Sequence, residues 1–224
     1  MLTDLALVRL LQLASPALPI GLYSYSQGME RAVEDGWIRS RGQAGEWIGG
    51  LLTQSQARID APLLIRLHRA WMDGDDAALA RWSKQLHAFR ETAELRAEDR
   101  QGGQALARLL TGLEVSRAQP WIVRPDATLA TSFSLAAANW SIPELETIIG
   151  YLWSWLENQV LCAVKLVPLG QADGQRLLTE LGKRIPELAK RALELDEEAI
   201  GGSAFGLALS SSRHEVQYSR LFRS

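Results

Sequence analysis

The side chains that most often carry catalysis or hold metals are few here and far apart. The chain has three histidines, His68, His87 and His214, and one cysteine, Cys162. None stands at ligand spacing from another His or Cys, so a nickel, zinc or iron site within this chain would need carboxylates and remote groups. A lone cysteine also excludes an intramolecular disulfide, and the apolar run Val160-Leu-Cys-Ala-Val164 reads as core. No Gly-x-Ser-x-Gly elbow points to a serine nucleophile. Neither Gly-x-x-x-x-Gly-Lys nor Gly-x-Gly-x-x-Gly occurs, so no phosphate-binding loop is present. His214-Glu215 lies close to the C-terminal end of the sequence, a poor platform for preorganised chemistry.

Recognition chemistry is better represented. The stretch Arg213-His-Glu-Val-Gln-Tyr-Ser-Arg-Leu-Phe-Arg-Ser224 mixes three arginines with Tyr218, Leu221 and Phe222, the composition of a protein–protein anchor. In a helical turn Tyr218, Leu221 and Phe222 would share one side, by their i, i+3, i+4 spacing. A second candidate is Ser15 to Glu30, in which Pro16, Pro19, Gly21 and Gly28 define the backbone and Tyr23, Tyr25 and Glu30 are presented. A third is Lys165, at the end of a long apolar pattern. It is either a lysine snorkelling from a helix C-terminus or a cation in an apolar passage. The charged run Arg90 to Arg100 has helical spacing and reads first as a solvated face, with an inter-subunit role as the alternative.

The elements that must position these groups are helical. Leu2, Leu5, Leu10 and Leu13 mark an opening helix that stops before Ser15-Pro16. Ser24 and Gln27 have capping-box spacing for a short helix that Gly36 ends. Gln43–Met72 is helical with Pro62 at a break or first turn, and Asp75-Asp76 starts a helix to about Ala88. Glu91–Leu110 follows, with Gly102-Gly103 as a weak point. Helices then fit Leu129–Asn139, Pro143–Val167 (capped by Ser141 and Glu144) and Gly174–Leu193. No alternating run suggests a strand. The expectation is an all-α, single-domain bundle of roughly eight to ten helices over residues 1–195, with an irregular tail, 196–224, that stays loosely held until bound.

Composition narrows the class of partner. The 224 residues carry a formal net charge of −2, which leaves no footprint for DNA or RNA. Arginine outnumbers lysine 20 to 4, favouring planar recognition of carboxylates, and 8 Trp suggest large buried or interface surfaces. No apolar stretch is long enough to span a membrane and no signal peptide opens the chain, so a cytoplasmic location is expected.

Four segments together resemble the UreF family of urease accessory proteins: Leu11-Gln-Leu-Ala-Ser-Pro-Ala-Leu-Pro-Ile-Gly21 with Tyr25-Ser-Gln-Gly-Met-Glu30, Arg90 to Arg100, Val164-Lys-Leu-Val-Pro-Leu-Gly-Gln171, and His214 to Ser224. The resemblance runs the length of the chain in order. It implies an all-α homodimer that acts as a non-catalytic chaperone in maturation of the urease nickel centre. Such proteins bridge the GTPase UreG and the accessory protein UreD (also called UreH) and assemble on apo-urease. Nickel would transit through an internal channel without a tight site, and no cofactor is implied. Arg213, His214, Glu215, Tyr218, Arg220, Leu221, Phe222 and Arg223 match the family's tail, which resembles a segment ordered by docking on UreD/UreH. Tyr25 and Glu30 match a motif implicated in the channel or complex architecture, and Lys165 a lysine implicated in GTPase control or metal gating. Met29 replaces a Leu common in the family, a nearly volume-conserving change. The alternative reading is a direct GTPase-activating regulator of UreG that supplies Lys165 or an Arg in trans.

Overall fold

In the computed structural model, which describes residues 1–224, short polar side chains cap five of the eleven α-helices. Thr3, Asp75, Thr92 and Thr128 each accept a backbone N–H three residues on, opening α1 (Asp4–Ala14), α5 (Asp76–Ala88), α6 (Ala93–Gly112) and α7 (Leu129–Asn139). α2 (Met29–Glu34) is shorter than its capping-box spacing suggests. Gln27 and Gly28 both take positive φ, and the helix starts after them, with Ser26 Oγ accepting the Glu30 N–H. α8 (Glu144–Leu166) also lacks the Ser141–Glu144 box, because Ser141 takes positive φ and Pro143 occupies the cap.

The segment read as one helix around Pro62 is a continuous rod of three parts. α3 (Arg41–Leu51) runs into a π-helical stretch, Leu52–Asp60, and then into α4 (Ala61–Asp73). Pro62, just past the junction, has no N–H to give, and the Arg58 carbonyl four residues back accepts the Gly201 N–H at 3.3 Å instead. π-Helical turns are rare and favour functional sites. The wider turn directs Ser55, Gln56, Ile59 and Asp60 toward an internal cavity. Downstream, the expected helix Gly174–Leu193 is two: α9 (Gln171–Gly182) and α10 (Ile185–Glu194), broken at Lys183-Arg184 with Pro186 in the new first turn. Gly102-Gly103 does not interrupt α6. Its role is close approach, since a Cβ on Gly103 would meet the Thr128 carbonyl that leads into α7.

α4, α6, α7 and α8 pack around one apolar cluster that includes Leu63, Leu67, Leu106, Leu110, Phe133, Leu152 and Leu156. Ile200 and Phe222 join the same cluster. Of the tail expected to be irregular, Glu197–Ala199 forms a 3-10 turn and Phe205–His214 a helix, α11, while residues 200–204 and 215–224 lack regular structure. α11 lies on α2 and α6, with Thr92 Oγ1 and Ser211 Oγ 2.8 Å apart and buried. The tail is not loosely held here: buried carboxylates and hydroxyls fold it back on the body. No helix is long and apolar enough to cross a membrane.

Candidate functional site

The four segments singled out in the sequence meet at one place. Glu30, in the first turn of α2, is nearly buried and clamps the tail with both oxygens. Oε1 accepts the Leu221 N–H at 2.7 Å, and Oε2 accepts the Phe222 N–H at 2.8 Å. Charged acceptors on backbone N–H groups make stronger hydrogen bonds than neutral ones. The fully buried His214 ring stands between two carboxylates, with Nδ1 2.7 Å from Glu94 Oε2 and Nε2 3.4 Å from Glu30 Oε2. Arg220 donates to Glu94 Oε1 at 2.8 Å, and Glu215 Oε1 accepts the Ala93 N–H at 3.0 Å, at the start of α6.

The last residues are fixed by a second group. Ser224 donates its hydroxyl to Glu98 Oε2 at 2.8 Å, and its main-chain oxygen accepts both the N–H and the hydroxyl of Ser26 at 2.7 Å. Glu98 Oε1 accepts from Gln27 Nε2 at 2.8 Å, and Gln27 Oε1 accepts from the Trp155 indole on α8, also at 2.8 Å. Burial pushes the Glu98 carboxyl up to about 7, against the opposing effect of the Gln27 and Ser224 donors. Tyr25 is buried with its hydroxyl donating to Gln101 Oε1 at 2.7 Å, while its carbonyl accepts from Asn158 and from the Cys162 thiol. Burial pushes that thiol up to about 12, so it stays neutral and unreactive.

The eight tail residues divide sharply. His214 and Phe222 are buried, whereas Tyr218 and Leu221 are exposed, so no helical turn gathers Tyr218, Leu221 and Phe222 on one side. Arg213 pairs with Asp35 at 2.8 Å and lies over the Trp37 ring; the Arg223 side chain points outward while its N–H binds the Ser24 carbonyl. Lys165 is exposed in the last turn of α8, with Nζ 5.6 Å from the Phe222 ring centroid and no carboxylate partner. Its surroundings match the snorkelling lysine better than an enclosed cation.

Sequence reasoning missed the inward face of Arg90–Arg100. Arg90 holds Asp60 through two hydrogen bonds, at 2.5 and 3.1 Å, and Asp99 at 2.8 Å, while Tyr151 donates to Asp60 at 3.2 Å. Burial alone would lower the guanidinium, but Asp60 and Asp99 outweigh it and hold it well above the ordinary arginine range. Glu94 and Glu98, one turn apart, were the available signal that this helix also faces the tail. Beneath them lies a cavity of about 200 Å³ bounded by the π-helical stretch, α6, α8 and the strap Gly202–Leu207. Gln56 lines it with Oε1 buried and unpartnered. No group of three or more His, Cys, Asp and Glu side chains is arranged to hold a metal ion.

Fold and site together define an all-α protein of one packed body, closed by its own C-terminal segment over a polar, carboxylate-rich interior. A family model described as UreF matches residues 38–182. The urease accessory protein UreF of Alkalilimnicola ehrlichii is 53% identical over 220 residues, covering 98% of this chain and 96% of that protein. The protein of the same name from Azoarcus sp. strain BH72 is 52% identical, with 98% and 96% covered. That of Pseudomonas putida strain W619 is 48% identical, with 99% of each covered. The chain belongs to the UreF family of urease accessory proteins.

Proposed function

We propose that this chain is a non-catalytic scaffold of urease maturation, which joins the GTPase UreG to UreD/UreH in the cytoplasm for GTP-dependent delivery of nickel to apo-urease. Its C-terminal segment is the docking element for UreD/UreH. The observation that carries this reading is the split character of the docked tail. Glu30, Glu94 and Glu98 fix its inner side, while Val216, Tyr218 and Leu221 stand exposed in one short stretch. Apolar and aromatic side chains held outward on a rigid backbone lose little freedom on binding and are typical hot spots. The test is Tyr218→Ala with Leu221→Ala. Both side chains are free of the core, so helix content should stay constant while affinity for UreD/UreH falls about 30-fold or more. Unchanged affinity would remove the tail from the interface.

Nickel is cargo in this reading, and the scarcity of His and Cys suits transit better than storage. A homodimer is part of the proposal, with the exposed apolar side of α1 (Leu5, Val8, Leu11) as the face of suitable composition. A second reading, a GTPase-activating regulator acting on UreG in trans, draws support from Lys165, an exposed cation without an ion-pair partner. If it acts on the nucleotide, Lys165→Ala should cut GTP hydrolysis by UreG by orders of magnitude and leave assembly intact. Intact hydrolysis with immature urease would return Lys165 to metal passage.

A further inference from the structure

The docking reading makes no use of the internal cavity. At about 200 Å³ it is larger than an apolar cavity of roughly 150 Å³ that holds one benzene ring, so a ring with a small polar head fits. Its lining has two characters. Leu22, Ile59, Phe89, Leu95, Leu129 and Leu207 supply apolar surface, whereas Asp60, Glu91, Glu98 and Asp99 face a single cation, Arg90. Arg90 is shared between Asp60 and Asp99, and the Glu98 oxygens meet only the neutral donors Gln27 and Ser224. One guanidinium thus serves two buried carboxylates and a third has none. Gln56 adds an acceptor to this deficit of positive charge. It is 5% exposed, lines the cavity from the π-helical stretch, and its Oε1 is buried without a hydrogen-bond partner. Native folds rarely leave such an atom unsatisfied.

We propose that this cavity is a binding site for a small nitrogenous organic cation: an amidinium, guanidinium or primary ammonium group on a compact apolar body. Gln56 Oε1 accepts from its N–H groups, and charge-assisted donors of this kind make the stronger hydrogen bonds. Glu98 and the Asp60–Asp99 pair supply the countercharge, while Ile59, Phe89 and the leucines cover the body of the ligand. An anion of the same shape is repelled by the same carboxylates. A bare metal ion is a poorer occupant, because no three His, Cys, Asp or Glu side chains are arranged to hold one and the apolar lining gains nothing from it. One wall is the strap Gly202–Leu207, whose first residues are exposed and lack regular structure, so entry leaves the apolar core undisturbed. The site is a property of the isolated chain and stands whether or not the tail docks on UreD/UreH.

Three ring compounds of one shape and different charge test this: cationic benzamidine, neutral benzamide and anionic benzoate, each titrated calorimetrically into the isolated full-length protein. Benzamidine is expected to bind with a Kd of about 0.1–1 mM, benzamide about tenfold more weakly, and benzoate not measurably. Methyl resonances of Ile59, Leu95 and Leu129, which line the cavity, should shift on adding benzamidine, while those of Leu79 on α5, outside it, stay in place. Gln56→Leu should weaken benzamidine about tenfold. Glu98→Gln should narrow the gap between benzamidine and benzamide to less than about threefold. Benzoate binding as tightly as benzamidine, or no benzamidine binding up to about 10 mM, overturns the site. So does unchanged affinity in both variants, which places the ligand elsewhere, or full displacement of benzamidine by an equal concentration of nickel chloride, which makes the cavity a metal compartment. The wild-type series and its methyl shifts decide the matter even if a variant fails to fold.

Discussion

Arg90 and Arg191 are both paired to carboxylates, yet they differ in what the pair is worth. Arg191–Glu187 is a solvent-exposed i, i+4 pair and contributes at most a few tenths of a kcal/mol, about 0.3–0.5. Arg90 neutralises Asp60 and Asp99, both almost fully buried, so removing it strands two charges. Arg90→Met is expected to cost about 3–5 kcal/mol, read as a lower urea midpoint at unchanged slope. Glu98 gives the opposite lesson, because its own charge is the burden. Its raised carboxyl favours the folded state at acid pH, and the advantage is lost as pH rises through about 7. Glu98→Gln should therefore stabilise the protein by about 1–3 kcal/mol at pH 8 and have little effect at pH 5, measured by chemical unfolding at both. Gln159 is a simpler case: it is fully buried on α8 and both amide atoms lack partners. An unmade buried hydrogen bond costs about 1–3 kcal/mol, so Gln159→Met should raise the melting temperature.

Among elements, α11 shows how tertiary contact overrides local preference. Its sequence, Phe205-Gly-Leu-Ala-Leu-Ser-Ser-Ser-Arg-His214, holds a glycine and three consecutive serines, poor helix formers that hid it from a reading by propensity. The helix exists because Ser210 and Ser211 fit against α2 and the start of α6. Gly28 makes that fit possible: its φ is +73°, and a Cβ there would sit 2.5 Å from Ser210 Oγ and 3.0 Å from the Ser211 nitrogen. Gly28→Ala should thus cost about 1–3 kcal/mol and raise amide exchange in α11 before it does so in α4. The legible elements were those with a local stop or start signal. Thr92, Thr128 and Asp75 are caps, Gly36 and Gly74 are left-handed stops, and α7 falls on Leu129–Asn139 as its pattern indicates. The π-helical ladder at Leu52–Asp60 has no such signal, because its residues would equally suit an α-helix. Pro186 marks the break before α10, although the apolar pattern runs on across it. The site was legible as separate segments. That Glu30, Glu94 and Glu98 converge on one tail depends on long-range pairing between residues up to 198 positions apart, as for Ser26 and Ser224, which no local pattern encodes.

For the molecule as a whole, one apolar cluster reaches from Leu13 to Phe222, so most large side chains are spent on a single core. α1 joins that core only through Leu13. It buries Ala6, Leu10 and Leu13 against α7 and α8, while Leu5, Val8 and Leu11 on the opposite side remain 68, 59 and 64% exposed. Scattered exposed leucines are ordinary, but a row at helical spacing on one side of one helix is a contiguous apolar strip. A strip on a helix can pair with its own copy across a two-fold axis, where each residue meets a symmetry-related partner. Introducing like charges into such an interface acts twice, because each substitution appears on both sides. Leu5→Glu with Leu11→Glu is therefore expected to convert a dimer to a monomer in sedimentation velocity. The helical circular dichroism should not change, since neither side chain contributes to the core. A dimer that persists at the same concentration would move self-association to another face of the body, and the exposed Trp153 and Leu161 on α8 would be the next residues to charge.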